Sequence, residues 1–335
     1  MEYFTLNNGL KMPVLGFGTS QIPENEVEEA LNSALEAGFR HIDCSPIYKN
    51  EQGIGRCLKS WIDSGKIKRE SLFITNKLPT QGNRASCVEK YLRNSLKAME
   101  LDYFDLYLIH FPFGIPEFEG EKYLKDENGF ALMDTKTDHL EIWKVLEEMV
   151  NKGLIKSIGL SNFNKQQIQR VVDNSTIRPS CLQIELHLYF QQTDLVDFCE
   201  SNDIKVVAFS PLGSRGRKFE HFKNKELIDD PVLSGISKKH NKSPAQVLLR
   251  WITQRGIGAV PKSSNLERLK ENFDIFNFKL TNEEMELLKS LDIGFRFFYF
   301  GHLKGWVFNI HFIELKVFFL FFFRIEGHPE YPFRE

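Results

Sequence analysis

Short apolar runs alternate with amphipathic helical patterns through most of the chain, and this alternation most restricts its possible fold. Eight runs have the length and composition of buried strands, and seven segments between or after them repeat apolar residues along one helix face. The predicted strands are residues 14–18, 39–44, 72–77, 104–110, 155–160, 181–185, 205–209 and 257–260. The predicted helices are residues 27–37, 85–99, 140–151, 165–172, 193–201, 245–251 and 266–273. Eight such units predict an α/β protein with a closed (β/α)8 TIM barrel, because open doubly wound sheets commonly have about five or six strands.

An open dinucleotide-binding sheet is the alternative fold, but its sequence fingerprint is incomplete. Gly16 and Gly18 supply two of its three required glycines, and the next helical pattern begins too late to hold a pyrophosphate. The barrel is therefore the favoured prediction.

Glycines predict the local geometry at two further points. Residues 4–13 are expected to form an N-terminal hairpin turned by Asn7, Asn8 and Gly9, because Asn-Gly tolerates the positive φ of tight turns. Gly38 follows the first helical pattern and is expected to end that helix in the left-handed conformation.

Composition restricts the classes of protein that this chain can represent. Its 335 residues are 42% hydrophobic, which favours one large catalytic domain, and its net charge of −2 gives no basic footprint for nucleic acid. The five cysteines are widely spaced without a Cys-x-x-Cys pair, which argues against a disulfide framework or a metal site. The first residues lack the pattern of a signal peptide. We expect a cytoplasmic protein with no membrane partner.

Four polar residues fall at or just beyond predicted strand ends: Asp43, Tyr48, Lys77 and His110. Each alone has an ordinary explanation as a loop cap, a half-buried aromatic, a solvated strand end or a core histidine. Parallel α/β folds carry their chemistry at the carboxyl ends of their strands, so the four together predict a catalytic group.

Three stretches that include these residues resemble the signatures of the aldo-keto reductases. They are residues 38–48, 101–110 and 260–264, and the resemblance extends over residues 5–299 and again over 327–333. The resemblance implies an (α/β)8 barrel that carries out reversible carbonyl reduction with a nicotinamide cofactor.

The chemistry of carbonyl reduction agrees with the residues that the resemblance selects. Hydride arriving at a carbonyl carbon leaves negative charge on the oxygen, which then needs a proton and hydrogen-bond donors. Tyr48 is the predicted acid, and we expect the Lys77 ammonium, oriented by Asp43, to lower its pKa. His110 would donate to the carbonyl oxygen and orient the substrate.

The resemblance also implies a set of cofactor contacts. Ser161, Asn162 and Gln183 match groups that hold the carboxamide, and Phe209 takes the place of a tyrosine that stacks on the nicotinamide. The remaining implied contacts, which include the pyrophosphate loop, are Thr19, Asp43, Ser210, Pro211, Leu212 and Ser214.

An anion site is predicted at the last strand end and the helix that follows it. Lys262, Ser263, Ser264 and Arg268 match contacts to a 2′-phosphate, while Glu271 and Asn272 would face the adenine. An ordinary solvated helix start is the alternative, but cations there oppose the helix dipole and favour an anionic ligand. NADP(H) is therefore preferred to NAD(H).

The substrate side departs from the family pattern. Ser20 stands where many relatives have a bulky aromatic residue, and Phe111 stands where a tryptophan is common. We expect an apolar pocket lined by Phe111, Phe113 and Phe219, and a wider opening near Ser20.

The tail departs further. Residues 1–300 form the predicted barrel domain, residues 301–325 are a Phe-rich insertion in the C-terminal substrate loop, and residues 326–335 resume the family sequence. The insertion is either a real enlargement of that loop or a translated intron tail.

These features together predict the NADPH-dependent reduction of aldehydes and ketones to alcohols, with Tyr48 as the proton donor. The expected partner is a small-molecule carbonyl substrate, and the expected state is a monomer. The alternative is a non-catalytic, cofactor-binding regulatory or structural protein on the same barrel.

Overall fold

An eight-stranded parallel sheet, preceded by a small antiparallel hairpin, organises the protein. A computed structural model describes residues 1–118, 124, 132–214 and 226–298. The hairpin strands are β1 (Tyr3–Thr5) and β2 (Lys11–Pro13). The parallel strands are β3 (Phe17–Gly18), β4 (His41–Asp43), β5 (Phe73–Leu78), β6 (Phe104–Ile109), β7 (Ile155–Ser161), β8 (Cys181–Glu185), β9 (Lys205–Phe209) and β10 (Gly258–Ala259).

The parallel sheet curls until its first and last strands meet. Neighbouring strands follow chain order from β3 to β10. Leu15 and Ala259 form a parallel bridge, the Gly16 N–H donates to the Ala259 carbonyl at 2.8 Å, and the Ala259 N–H donates to the Val14 carbonyl at 2.8 Å. These bonds join the two edges, so the predicted (β/α)8 barrel is confirmed.

Helices surround the sheet, and their bounds agree with the sequence patterns where a pattern was recognised. They are α1 (Glu24–Ala37), α2 (Glu51–Asp63), α3 (Ala85–Ala98), α4 (His139–Asn151), α5 (Lys165–Asn174), α6 (Thr193–Ser201), α7 (Pro231–His240), α8 (Pro244–Gln254), α9 (Leu266–Phe273) and α10 (Asn282–Lys289).

Three of these helices, α2, α7 and α10, were not predicted. Helix α2 contains Gly53 and Gly55, which weaken the helical signal. The structure explains both glycines, because a Cβ at Gly53 would lie 2.5 Å from the Val27 side chain and one at Gly55 2.7 Å from the Met99 backbone.

The hairpin covers the end of the barrel where the strands begin. Gly9 has a φ of +85° and donates its N–H to the Leu6 carbonyl, which confirms the predicted turn. The Asn7 amide donates to the Pro179 carbonyl and the Asn8 amide to the Lys156 carbonyl, each at 2.9 Å. The hairpin thus fastens to the residues that precede β8 and begin β7, and it leaves the opposite end of the barrel for the site.

Two apolar clusters hold the fold. One fills the barrel interior with side chains from the hairpin and several strands, including Leu6, Met12, Leu106, Leu108 and Val207. The larger cluster lies between the strands and the surrounding helices. Gly38 ends α1 with a φ of +108°, as predicted, and returns the chain to β4. Within the described residues, no helix is long and apolar enough to cross a membrane.

Candidate active site

Three adjacent strands bring the predicted catalytic residues together. Asp43 ends β4, Lys77 lies near the end of β5, and His110 follows β6. Tyr48 lies in the turn after β4, where its ring centroid is 6.1 Å from that of His110 at an angle of 87°. The four residues therefore form one cluster at the carboxyl end of the barrel.

Lys77 is the centre of this cluster. Its side chain is completely buried, and its ammonium donates to Asp43 Oδ1 at 2.6 Å, to the Cys44 carbonyl at 3.0 Å and to Tyr48 Oη at 3.3 Å. Burial lowers the pKa of Lys77, but the negative charge of Asp43 and the contact with Tyr48 outweigh it, and the pKa is raised overall. The ammonium thus stays charged beside the phenol.

Asp43 is held on both of its oxygens. Oδ1 accepts from Lys77, and Oδ2 accepts from the Gln183 amide at 2.7 Å. Its backbone carbonyl accepts from the Thr19 hydroxyl at 2.8 Å. Thr19 and Gln183, both predicted as cofactor contacts, therefore also hold Asp43 in place.

The pKa of Tyr48 differs from the expectation. Burial raises it above the usual value of 10, and this effect exceeds the lowering caused by Lys77. The sequence predicts that the Lys77 charge lies near the Tyr48 phenol, but it does not show how deeply the phenol is buried. Tyr48 consequently holds its proton firmly.

His110 is neutral. Burial and the nearby Lys77 charge lower its pKa well below 6.5. Its Nδ1 lies 3.1 Å from the Ser45 hydroxyl, and its carbonyl accepts from the Asn162 amide at 2.9 Å. A Ser45 hydroxyl that donates to Nδ1 would place the ring proton on Nε2.

The residues predicted for the nicotinamide end lie beside the cluster of Asp43, Tyr48, Lys77 and His110. Ser161 ends β7, Asn162 follows it, Gln183 belongs to β8, and Phe209 ends β9. Ser161 and Asn162 are buried, and the Asn162 amide also donates to Ser161 Oγ at 3.2 Å. Phe209 is half-buried.

Three of the selected residues have an unusual backbone conformation. Asn162, Ser210 and Ser214 have φ values of +62°, +51° and +51°, in the left-handed region that most side chains avoid. Such strain concentrates where a ligand or a reaction requires a particular geometry.

Residues 210–214 form a compact turn after β9. The Gly213 N–H donates to the Ser210 carbonyl at 2.9 Å, and the Ser214 hydroxyl donates to Ser210 Oγ at 2.8 Å. Pro211 is buried, while Leu212 is partly exposed. The turn presents hydroxyl groups at the carboxyl end of the barrel.

The predicted anion site is at the start of α9. Lys262, Ser264 and Arg268 are exposed, whereas the Ser263 side chain is buried and accepts from the Asn265 N–H at 3.1 Å. Within the described part of the chain, neither Lys262 nor Arg268 has a carboxylate within ion-pair distance. Desolvation lowers the pKa of Lys262, and Glu26 partly opposes this effect. Two cations therefore remain available to an anion.

Two further residues are predicted to face the adenine. Glu271 is half-buried on α9, and Asn272, next to it, is buried. Both residues belong to α9, as does Arg268. One helix therefore carries residues predicted to contact the 2′-phosphate and residues predicted to contact the adenine.

The substrate side contains aromatic rings in a fixed arrangement. Phe111 stacks on His110 with ring centroids 4.7 Å apart, and Phe113 lies 5.3 Å from Phe111. Phe113 is buried behind Phe111, while Ser20 is half-buried at the carboxyl end of β3. Phe219 and residues 301–335 lie outside the described residues.

Sequence reasoning missed three residues that organise the site. Ser45 contacts the His110 ring, the Asn50 amide donates to the Thr19 and Ile22 carbonyls, and the Asn83 amide donates to the Phe111 and Phe113 carbonyls. Ser45 lies within the stretch that carries Asp43 and Tyr48, so its place at a strand end was a usable signal. The two asparagines gave none beyond their position in loops.

Comparisons with known proteins identify the family of this chain. The Aldo/keto reductase family model matches residues 14–293. Aldo-keto reductase family 1 member C4 of Macaca fascicularis is 42% identical over 98% of this chain and 97% of its own length. Aldo-keto reductase family 1 member C1 of Homo sapiens is 40% identical over the same shares.

A solved structure extends the comparison to the fold. The aldose reductase from Schistosoma japonicum is 39% identical, matches with a TM-score of 0.85, and covers 100% of this chain and 99% of its own. The chain therefore belongs to the aldo/keto reductase family of oxidoreductases, which reduce carbonyl groups with nicotinamide cofactors.

Proposed function

We propose that the protein reduces aldehydes and ketones to alcohols with NADPH, and that Tyr48 donates the proton. The observation that carries this proposal is the buried chain of contacts from Asp43 through Lys77 to Tyr48, next to a neutral His110. A protein that only bound a cofactor would have no need of a phenol held between an ammonium and an imidazole.

Each residue has a task in the proton transfer. Tyr48 keeps its proton until the carbonyl oxygen becomes basic, since burial raises the pKa of the free phenol. Lys77 stabilises the phenolate that is left, at a distance of 3.3 Å. Asp43 and Gln183 hold the ammonium and its counter-charge in place.

His110 acts on the substrate oxygen from the other side. A neutral imidazole with its proton on Nε2 donates a hydrogen bond without competing as an acid. Ser45 and Phe111 fix the ring by a hydrogen bond and by stacking. The oxygen would thus meet two donors, Nε2 of His110 and Oη of Tyr48.

The residues present fit a phosphorylated dinucleotide. Lys262 and Arg268 are exposed cations that find no carboxylate partner among the described residues, which suits a 2′-phosphate. The strained turn at Ser210 and Ser214 presents hydroxyl groups to a pyrophosphate. The carboxamide would be held by Ser161, Asn162 and Gln183, and the ring would lie on Phe209. When bound, this cofactor supplies the hydride.

The test is the oxidation of NADPH in the presence of a panel of aldehydes and ketones. Tyr48→Phe should lower kcat by about 10²- to 10⁴-fold, the range for one acid group, while the Kd of NADPH stays unchanged. Tyr91→Phe is the matched control, because its hydroxyl donates to the exposed Glu117 carboxylate and, among the described residues, to no member of the proposed site. Equal rates for Tyr48→Phe and the wild type would reject Tyr48 as the acid. NADPH binding without turnover would favour the non-catalytic alternative.

A further inference from the structure

Glu185 is a completely buried carboxylate that the proposed chemistry does not use. It ends β8, and in the sheet register its Cα faces that of Phe209, the proposed nicotinamide platform. Burying a carboxylate is costly unless hydrogen bonds compensate it. The identity of its partners therefore shows what this residue holds in place.

The partners are backbone groups from the far end of the described chain. Oε1 accepts from the Phe297 N–H at 2.5 Å, and Oε2 accepts from the Phe298 N–H at 3.0 Å. Two consecutive amides thus bind the two oxygens of one carboxylate. The Arg296 guanidinium lies 3.8 Å from Oε2, and His187 Nε2 lies 3.0 Å from Oε1.

Aromatic contacts complete the attachment of residues 296–298. The His187 and Phe297 rings have centroids 4.5 Å apart, and the Arg296 guanidinium lies 4.3 Å from the centroid of the Phe190 ring. Ion-pair, hydrogen-bond, cation–π and tilted ring contacts therefore attach this short segment to Glu185 and to the residues that follow β8.

The same segment contacts two parts of the proposed cofactor site. The Phe298 ring meets Phe209 edge to face, with centroids 5.5 Å apart and planes at 84°. Phe297 lies beside the turn of residues 210–214, where a Cβ added at Gly213 would be 3.4 Å from its ring. A shift of residues 296–298 would disturb both the platform and the turn.

We propose that Glu185 is a positioning residue for the cofactor, which acts by binding the Phe297 and Phe298 amides and so fixing Phe209 and the 210–214 turn. The inference rests on the proposed function, since it takes those two elements as cofactor contacts. It adds that NADPH affinity depends on a carboxylate that does not touch the cofactor.

Glu185→Gln tests the proposal with little change in shape. Glutamine has one acceptor oxygen, so one of the two amides would face an NH₂ group instead of an acceptor. We expect the Kd and the KM of NADPH to rise about tenfold, equivalent to about 1.4 kcal/mol. At saturating NADPH, kcat should stay within about twofold of the wild type, because no member of the catalytic cluster is changed.

Glu284→Gln is the matched control. Glu284 is also buried and accepts from Lys239, His240 and the Thr281 N–H. It belongs to α10, and among the described residues its hydrogen bonds reach no proposed cofactor contact. It should lower thermal stability and leave the KM of NADPH unchanged. If Glu185→Gln did only the same, the proposal would be overturned.

A second variant keeps the test decisive if Glu185→Gln does not fold. Phe298→Ala retains the carboxylate and both amides but removes the ring that meets Phe209, so it too should raise the KM of NADPH. The double variant should bind NADPH no more weakly than the weaker-binding single variant, because Phe298→Ala removes a contact that Glu185→Gln already loosens. Unchanged KM in Phe298→Ala, or additive losses, would contradict the proposal. A wild type that does not oxidise NADPH would reject the proposed function, whatever the variants show.

Discussion

The carboxyl end of the barrel has two clusters of charged residues, one around Lys77 and one at the start of α9. They differ in whether the protein itself supplies the opposite charge. In the catalytic cluster, the Asp43 carboxylate binds Lys77 and Gln183 of the same chain, and Lys77 is completely buried. In the cluster at α9, Lys262 and Arg268 are exposed, and the described residues offer them no carboxylate at ion-pair distance.

The difference follows from the cost of burying charge. A buried ammonium must have its counter-charge within the protein, so the catalytic geometry forms with folding. An exposed cation is solvated and needs no internal partner, which leaves it available to a ligand. Mutations in the first cluster should therefore affect stability and rate together, and mutations in the second should affect only cofactor affinity.

The largest expected effect is that of Lys77→Met. Removing one partner of a buried ion pair leaves Asp43 without its counter-charge, and we expect the free energy of unfolding to fall by about 3 to 5 kcal/mol. Urea denaturation measures this change. Lys239→Met is the control, because that partly exposed pair with Glu284 should contribute less than about 1 kcal/mol. Similar losses in both variants would remove the distinction between the clusters.

Arg268→Ala should have a smaller effect, of a different kind. The loss of a charge-assisted contact to the 2′-phosphate should weaken NADPH binding by about 1.5 to 3 kcal/mol and leave NADH binding nearly unchanged. Calorimetric titration of both cofactors, with urea denaturation in parallel, separates affinity from stability. An equal loss of affinity for NADPH and NADH would show that Arg268 does not bind the 2′-phosphate.

The sequence was sufficient to predict the barrel and the meeting of Asp43, Tyr48, Lys77 and His110 at one end of it. Eight apolar runs predicted eight strands, and the polar residues that follow them meet because parallel strands present their carboxyl ends at one edge. Helices α7 and α10 were missed although their starts carry signals, Pro231 after Asp230 and the Thr281–Glu284 capping box.

Features that depend on burial or on distant contacts could not be predicted. The pKa of Tyr48 is decided by how far the site excludes water, which no local pattern records. Glu185 has the sequence position of an ordinary strand end, and its partner Phe297 is 112 residues later. Such a role becomes visible only when the fold brings the two together.

The pH dependence sharpens the comparison further. Burial lowers the pKa of His110 well below 6.5 and raises that of Tyr48 above 10, so neither group changes charge between pH 6.5 and pH 8. The proton-donating form should persist, and kcat at saturating NADPH should be flat over this range. Cofactor affinity should not be flat, because a phosphate with a second pKa of about 6 loses its second charge as the pH falls.

A fall of about tenfold in NADPH affinity between pH 7 and pH 5 is expected if Lys262 and Arg268 bind the dianion. NADH, which has no such phosphate, provides the control and should bind equally at both values. A drop in kcat near pH 6.5 would mean that His110 titrates in the working enzyme and is not shielded as the structure indicates.

The smallest expected effect is that of Lys270→Ala. This variant tests whether any positive charge on α9 can bind the 2′-phosphate of NADPH. Lys270 is two residues from Arg268, exposed, and paired with Glu267 at 3.0 Å. Since surface pairs of this spacing contribute about 0.2 to 0.5 kcal/mol, unfolding should change by no more than that. NADPH affinity should change even less, because the Lys270 charge already has a carboxylate partner. If Lys270→Ala lost as much NADPH affinity as Arg268→Ala, the helix would attract the cofactor by its total charge. The missing carboxylate partner of Arg268 among the described residues would then not explain why Arg268 binds the phosphate.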